Sequence, residues 1–445
     1  MVEEIKYLIN YQIKLLKLYK ERNIMFNWYH DVSQNEKKTF WACFGGWTLD
    51  ALENQMFGLL IPSLITYFSI TKGEAGLLSS ATLVTSAIGG WFAGALSDRF
   101  GRVKTLQIMI IWFSLFTFLA AFVTDYRSLL VLKGLQGFGV GGEWAAGAVL
   151  MAETIQSQYR GKVMALVQSG WAVGWGLSII LFTVIYGLAP EYMAWRIMFA
   201  VGLLPALLIL YVRYYVQEPE KKIIINNIKK EKITQSLFGI FSPSLVRVTL
   251  IGGMLGLGAH GGYHAIMLWL PTFLKEERQL SVLNSSGFLY LAVIIFAFWC
   301  GCIASSFLLD KIGRRFNVVC FAICCVITVR CYIYLPLTNT QMLFFGFPLG
   351  FFAAGIPSSF GALFNELYPQ RYRGAGVGFC YNFGRIFSSI FPFLVGHMST
   401  SMSLGSAIAI DASWAYTIVI ISVLLLPETK GRNLQQIDDN GQIID

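Results

Sequence analysis

Twelve stretches of roughly 20 or more mainly apolar residues follow one another along the chain, the length an α-helix needs to cross a bilayer's hydrocarbon core. They run at 40–69, 75–97, 104–123, 128–152, 162–188, 194–215, 245–274, 284–309, 316–336, 341–367, 374–398 and 405–426. Composition leaves no soluble alternative. Of 445 residues, 56% are hydrophobic and only 13% are charged, about half the share in soluble domains. Lipid solvates such a surface, provided that every backbone polar group is satisfied inside a helix. The fold class is therefore all-α and polytopic.

The net charge of +9 does not point to nucleic acid, because the basic residues fall in short segments between apolar runs. With the N-terminus in the cytoplasm, most of the 34 Lys and Arg residues lie on the cytoplasmic side. Both termini and the central loop are then cytoplasmic, in a cell (inner) membrane. The chain divides into an N-terminal extension (1–38), a first six-helix bundle (39–216), a linker (217–243), a second bundle (244–427) and a tail (428–445). No cleavable signal peptide is expected. The stretch Glu3–Arg22, with Lys6, Lys14, Lys17 and Lys20, reads as a basic amphipathic helix on an anionic membrane surface. The alternative is a dispensable extension, with translation starting at Met25.

The eight cysteines sit almost entirely inside apolar runs and lack metal-ligand spacing, so they read as small buried hydrophobes. No glycine-rich phosphate loop, metal cluster or nucleophile–base pair is present. The expectation is a non-enzyme with no cofactor and no bound metal.

The two bundles repeat one another. Asp98-Arg99-Phe100-Gly101-Arg102 recurs as Asp310-Lys311-Ile312-Gly313-Arg314. Glu153 with Arg160-Gly161 recurs as Glu366 with Arg373-Gly374, at an offset of about 212 residues. Glu218-Pro219 and Pro427-Glu428 form a third pair. Parallel six-helix repeats are a transporter architecture. Asp98 and Arg102, like Asp310 and Arg314, stand four apart and can bridge on a helix, for about 0.5 kcal/mol if exposed. Their carboxylates can also face a neighbouring helix N-terminus. The eight residues Asp98, Arg102, Glu153, Arg160, Asp310, Arg314, Glu366 and Arg373 read as a latch between the halves, or else as static anchors. Gly94 and Gly101 permit close backbone approach; Ser306 replaces the first glycine in the second copy, which predicts looser packing there.

Charges inside the apolar runs are functional candidates, since each costs at least about 2.5–3.5 kcal/mol at the bilayer centre. Asp50 and Glu53 share a face of the first helix and cannot both stay ionised cheaply, which suits proton binding. Glu143 interrupts a glycine-rich fourth helix. Each could instead be a fixed ion-pair partner. Lys133 is expected nearer the outer end, paired or snorkelling. Arg385 falls near the midplane of helix 11, and its planar fork fits a carboxylate; the rival is a permanent salt bridge to Asp50, Glu53 or Glu143. His260 and His264, one turn apart with Tyr263 between them, suit proton sensing, substrate contact or plain pore lining. Gln55, Gln168 and Asn382 are further candidates for substrate contact, with Trp171 and Trp175 as cavity aromatics.

Gly94-Ala95-Leu96-Ser97-Asp98-Arg99-Phe100-Gly101-Arg102 resembles the signature loop of the major facilitator superfamily, and Pro427-Glu428-Thr429-Lys430-Gly431 resembles the end of helix 12 in its sugar and organic-acid branches. Gly137-Phe138-Gly139-Val140-Gly141-Gly142-Glu143-Trp144 is similar to helix 4 of the sialate and lactate:proton symporter branch. The first-helix acids and Asn382-Phe383-Gly384-Arg385 are similar to that branch and to the aromatic-acid:proton symporters. Glu53 stands where aspartate is usual, and His260 and His264 where uncharged residues are expected. The resemblance implies proton-coupled import of an organic monocarboxylate (lactate, pyruvate, sialate or aromatic acid class) by alternating access, Arg385 gripping the carboxylate and Asp50, Glu53, Glu143 or His260 carrying the proton. The implied partners are a small organic anion, protons and the lipid bilayer, with a monomer as the working unit. A proton-coupled sugar or polyol porter is the alternative, then a drug exporter. A receptor or sensor is disfavoured by a linker too short to hold a signalling domain.

Overall fold

The structure is a computed structural model and describes residues 27–218, 233–279, 285–388, 390–432 and 434. The proposed amphipathic segment Glu3–Arg22, Met25, most of the linker and most of the tail lie outside the described residues.

Every expected span is helical. The first half comprises α1 (Gln34–Phe68), α2 (Lys72–Phe100), α3 (Arg102–Ala120), α4 (Tyr126–Thr154), α5 (Arg160–Leu188) and α6 in two pieces, Glu191–Val201 and Pro205–Tyr215. The second comprises α7 (Val246–Met267 and Leu270–Glu276), α8 (Ser285–Ile312), α9 (Arg314–Tyr334), α10 (Asn339–Ser358 and Phe360–Leu367), α11 (Arg373–Ser388 and Ile390–Met398) and α12 (Leu404–Leu425). Among the described residues, eight helical spans are long and apolar enough to cross a membrane by length and composition. Neither α1 nor α4 reaches that threshold, and these two carry Asp50, Glu53, Lys133 and Glu143.

Local chemistry sets the ends. α1 begins at Gln34, six residues before the expected start, because Ser33 and Glu36 close a capping box there. Thr71 with Glu74, and Thr338 with Gln341, do the same for α2 and α10. α6 breaks after Val201 and resumes at Pro205, where a missing N–H costs nothing at the first helical turn. The linker is not wholly irregular: Ile233–Gly239 forms a short helix packed against the first half, where Trp91 Nε1 donates to Leu237 O at 3.3 Å.

Glycines set the interior packing. A Cβ on Gly141 would strike the Ser86 carbonyl and one on Gly137 the Thr82 carbonyl, so α2 and α4 touch backbone to backbone. Many large apolar side chains remain exposed on the outer faces, among them Ile108, Ile111 and Leu115 of α3 and Ile180 and Val184 of α5. Such a surface suits lipid rather than water. All eight cysteines are unpaired.

Candidate functional site

The two halves enclose a central cavity of about 310 Å³. α1 supplies Gln55, α5 supplies Gln168, Trp171 and Trp175, and α7 supplies His260, Tyr263 and His264. Arg385 of α11 enters from the second half, and Lys133 and Gln136 of α4 from the first. The wall is thus largely apolar and aromatic with a few convergent polar groups, the usual make-up of a small-molecule site.

Arg385 is 5% exposed and lies over the Tyr381 ring at 5.0 Å. Among the described residues no carboxylate stands within 4 Å of it, so the rival reading of a permanent salt bridge is not what the geometry contains. Tyr381 organises the cavity floor. Its ring stacks on Trp144 of the opposite half at 3.5 Å, and Trp47 and His260 stand edge-on to it at 6.2 and 4.9 Å. Sequence reasoning gave Tyr381 no role; its position one turn before Arg385, on the same face, was the available signal.

The acids lie behind the wall. Asp50 meets the Glu143 carboxyl, with Glu53 and Arg385 as its other charged neighbours. Among the described residues neither Asp50 oxygen receives a hydrogen bond from a neutral or cationic donor, so this contact is acid against acid. Glu143 also fills the space that a side chain at Gly46 would need. Glu53 is separate, accepting from Thr117 Oγ1 and Gln136 Nε2. Lys133, expected to pair or snorkel near the outer end, instead lines the cavity at 2% exposure, its ammonium over the Phe57 ring at 4.0 Å.

The remaining candidates divide. His264 Nδ1 shares a hydrogen bond with Ser388 Oγ at 3.2 Å, while buried His260 Nε2 has no partner among the described residues. Among the described residues no three His, Cys, Asp or Glu side chains converge as a metal site. Asn382 is not in the cavity wall. It is fully buried, donates to Gly378 O at 3.0 Å and packs on Gly90 of α2. It stands next to Tyr381, but about 100° around the helix.

At the end of the bundle where α1 begins and α12 ends, all eight latch residues meet. Arg102 grips Glu153 with two bonds, at 3.0 and 3.1 Å, and Arg314 grips Glu366 with two at 2.9 Å. The cross-links swap halves: Arg373 reaches Glu153 at 2.7 Å and Arg160 reaches Glu366 at 3.1 Å. Asp98 accepts from the Gly374 and Ala375 amides, both at 3.0 Å, at the start of α11. Asp310 accepts from the Gly161 and Lys162 amides, at 3.1 and 2.8 Å, at the start of α5. Each aspartate therefore sits on the positive end of a helix in the other half. The pairs Asp98–Arg102 and Asp310–Arg314 form at 2.6 and 3.0 Å. Their arginines are buried, Arg102 and Arg314 being at most 1% exposed, while the Asp310 side chain keeps 20% exposure.

Glu218 and Glu428, the third repeated pair, cap α3 and α9. Glu218 accepts from the Val103 amide at 2.9 Å, and Glu428 from the Arg314 and Arg315 amides at 3.0 and 3.1 Å. The bends before these helices are Gly101 and Gly313, at φ of 112° and 95°, which a side chain would strain. Ser306 is 1% exposed and donates to Ile303 O. The close approach on that side is carried by Gly161, where a Cβ would strike Asp310.

Two six-helix repeats around a central cavity, latched by exchanged ion pairs at one end, define a membrane transporter fold. The Major Facilitator Superfamily model matches residues 43–349 and 308–441, and the chain belongs to that family, whose members move solutes and are not enzymes. It is 39% identical to a probable 4-methylmuconolactone transporter of Cupriavidus pinatubonensis over 93% of this chain and 96% of that one. It is 26% identical to the sialic acid transporter NanX of Escherichia coli over 86% and 92%. Its fold is similar to that of the proton:xylose symporter XylE, with a TM-score of 0.74 at 19% identity, over 90% of this chain and 98% of that one.

Proposed function

We propose that this protein imports an organic carboxylate together with protons by alternating access. The observation that carries the reading is Arg385, a buried guanidinium in the cavity wall with no carboxylate at ion-pair distance among the described residues. A buried cation of that kind is costly unless an anion meets it, and the substrate carboxylate is the natural partner. Relatives named for a lactone and for sialic acid support an acid-transporting branch. A neutral sugar gives Arg385 nothing to bind.

Asp50 and Glu143 form the proton site in this reading. Two carboxyls in contact with no donor between them are stable with one shared proton. Binding a substrate anion at Arg385 then accompanies a proton held one layer behind it. The loaded cavity carries less net charge as the halves rock. The latch end is taken as cytoplasmic, in line with the basic residues around it, so this state opens outward. The ligand shifts the balance only by binding the two states differently.

The test is uptake of radiolabelled lactate, sialate, benzoate and glucose into proteoliposomes, with and without an inward proton gradient. Acid uptake that rises with the gradient and is lost in Arg385→Ala supports the reading. Glucose uptake that survives Arg385→Ala sinks it.

A further inference from the structure

The cavity holds a second cation. Lys133 is 2% exposed, lines the same cavity as Arg385, and stands on α4 of the first half while Arg385 stands on α11 of the second. Among the described residues its ammonium makes no ion pair, and its recorded contact is the Phe57 ring at 4.0 Å. Its charged neighbour is Glu53. That carboxylate is beyond 4 Å and does not line the cavity; its Oε1 accepts from Thr117 and Gln136, while its Oε2 has no partner among the described residues. The ammonium therefore rests on an aromatic face in the wall of the cavity.

Position along the helix sets the spacing. Glu143, level with Asp50 and hence with Arg385, lies ten residues beyond Lys133, about 15 Å along the axis at 1.5 Å per residue. A two- or three-carbon acid held at Arg385 leaves Lys133 unmet. An extended acid with anionic groups at both ends meets both.

We infer that Lys133 is a second anion-binding position and that the substrate class is an elongated dicarboxylate, one carboxylate on Arg385 and the distal one on Lys133. This rests on the carboxylate reading above and puts a dicarboxylate in place of the monocarboxylate expected from sequence. Between the two ends, Trp171, Trp175 and Tyr263 offer the apolar wall that a hydrocarbon chain needs.

The probes are adipate and hexanoate, six-carbon acids that differ in the second carboxylate, with binding measured by calorimetry on purified protein. The expected result is adipate binding at least tenfold tighter than hexanoate. In Lys133→Met that preference disappears because adipate weakens while hexanoate is unchanged; in Lys133→Arg it is largely kept. Arg385→Ala weakens both acids. Equal affinity for the two acids in the native protein, or an equal loss of both in Lys133→Met, overturns the dicarboxylate inference while leaving the Arg385 reading standing. Insensitivity of both acids to Arg385→Ala sinks the underlying reading instead. Where Lys133→Met unfolds, Lys133→Met with Glu53→Gln is the second variant. Full recovery of adipate preference there would mean that Lys133 serves only to balance Glu53, and the inference fails.

Discussion

Arg373, at the start of α11, donates to Glu153, at the end of α4, at 2.7 Å, and Arg102 holds the same carboxylate from the other side at 3.0 Å. One buried acid thus bridges two arginines from different halves. Replacing it with a neutral group takes the ion-pair partner from Arg373 and leaves Arg102 with Asp98 alone, and breaking a buried pair of this kind costs about 3–5 kcal/mol. Glu153→Gln is expected to spring the closed end open. Cys43 is a native reporter: it is 3% exposed and lines a small pocket with Glu143 and Gly361, between the cavity and the latch. Its alkylation by a small maleimide, followed by mass spectrometry, should speed up at least tenfold in Glu153→Gln. An unchanged rate would make the network a static anchor.

Gly94 of α2 and Gly374 of α11 meet backbone to backbone across the same boundary, a Cβ on either running into the other's carbonyl. Neither main chain can yield as a flexible side chain would. Gly94→Ala should therefore cost the closed state about 1–3 kcal/mol, the usual penalty of overpacking. The expected readout is faster Cys43 alkylation with a small change in Tm. A large Tm drop with Cys43 still protected would mean that the fold, rather than the closure, absorbs the strain.

Which of these features the sequence carries follows a physical pattern. The spans were legible because bilayer thickness forces long apolar runs, and the latch because acids and arginines recur at one offset. Arg385 and Glu143 stood out because a charge in an apolar run has few bland explanations. Partners were not legible. Glu153 and Arg160 read as one local motif, but each binds the other half, Glu153 with Arg373 and Arg160 with Glu366. Helical phase was also hidden. Asn382 and Tyr381 are adjacent polar residues on α11, yet only Tyr381 faces the cavity, because the glycine-rich side of α11 presses Asn382 onto Gly90. Hydropathy likewise placed Lys133 near a membrane surface, whereas the packing of α4 turns it inward. The serine of the linker helix that reaches Asp98, Ser236, carries no sequence signal.

Asp50→Asn separates proton coupling from substrate binding. It removes one of the two facing carboxyls while leaving Arg385 and the cavity wall in place. Expected is substrate binding within threefold of the native protein, exchange of internal for external acid intact, and no response of net uptake to a proton gradient. Gradient-driven uptake at native levels would move the coupling proton elsewhere, with Glu53 the next acid to test.

Glu428 offers a test outside the membrane-spanning segments. Partial burial disfavours its charge, but amide donors from Arg314, Arg315, Lys430 and Thr429 outweigh that and hold the carboxyl below its ordinary value. A depressed folded-state value means that the carboxylate's contribution is present above the unfolded value, about 4.3 for glutamate, and is lost as pH falls through the lower folded one. Glu428→Gln should thus lower Tm at pH 7, where the native cap of α9 is charged. The gap between native and variant should shrink steadily as pH falls below about 4.3. Because only this carboxylate differs, the other acids cancel in the comparison. A gap independent of pH would show that Glu428 acts by shape and packing, leaving the amide ends of α9 satisfied without its charge.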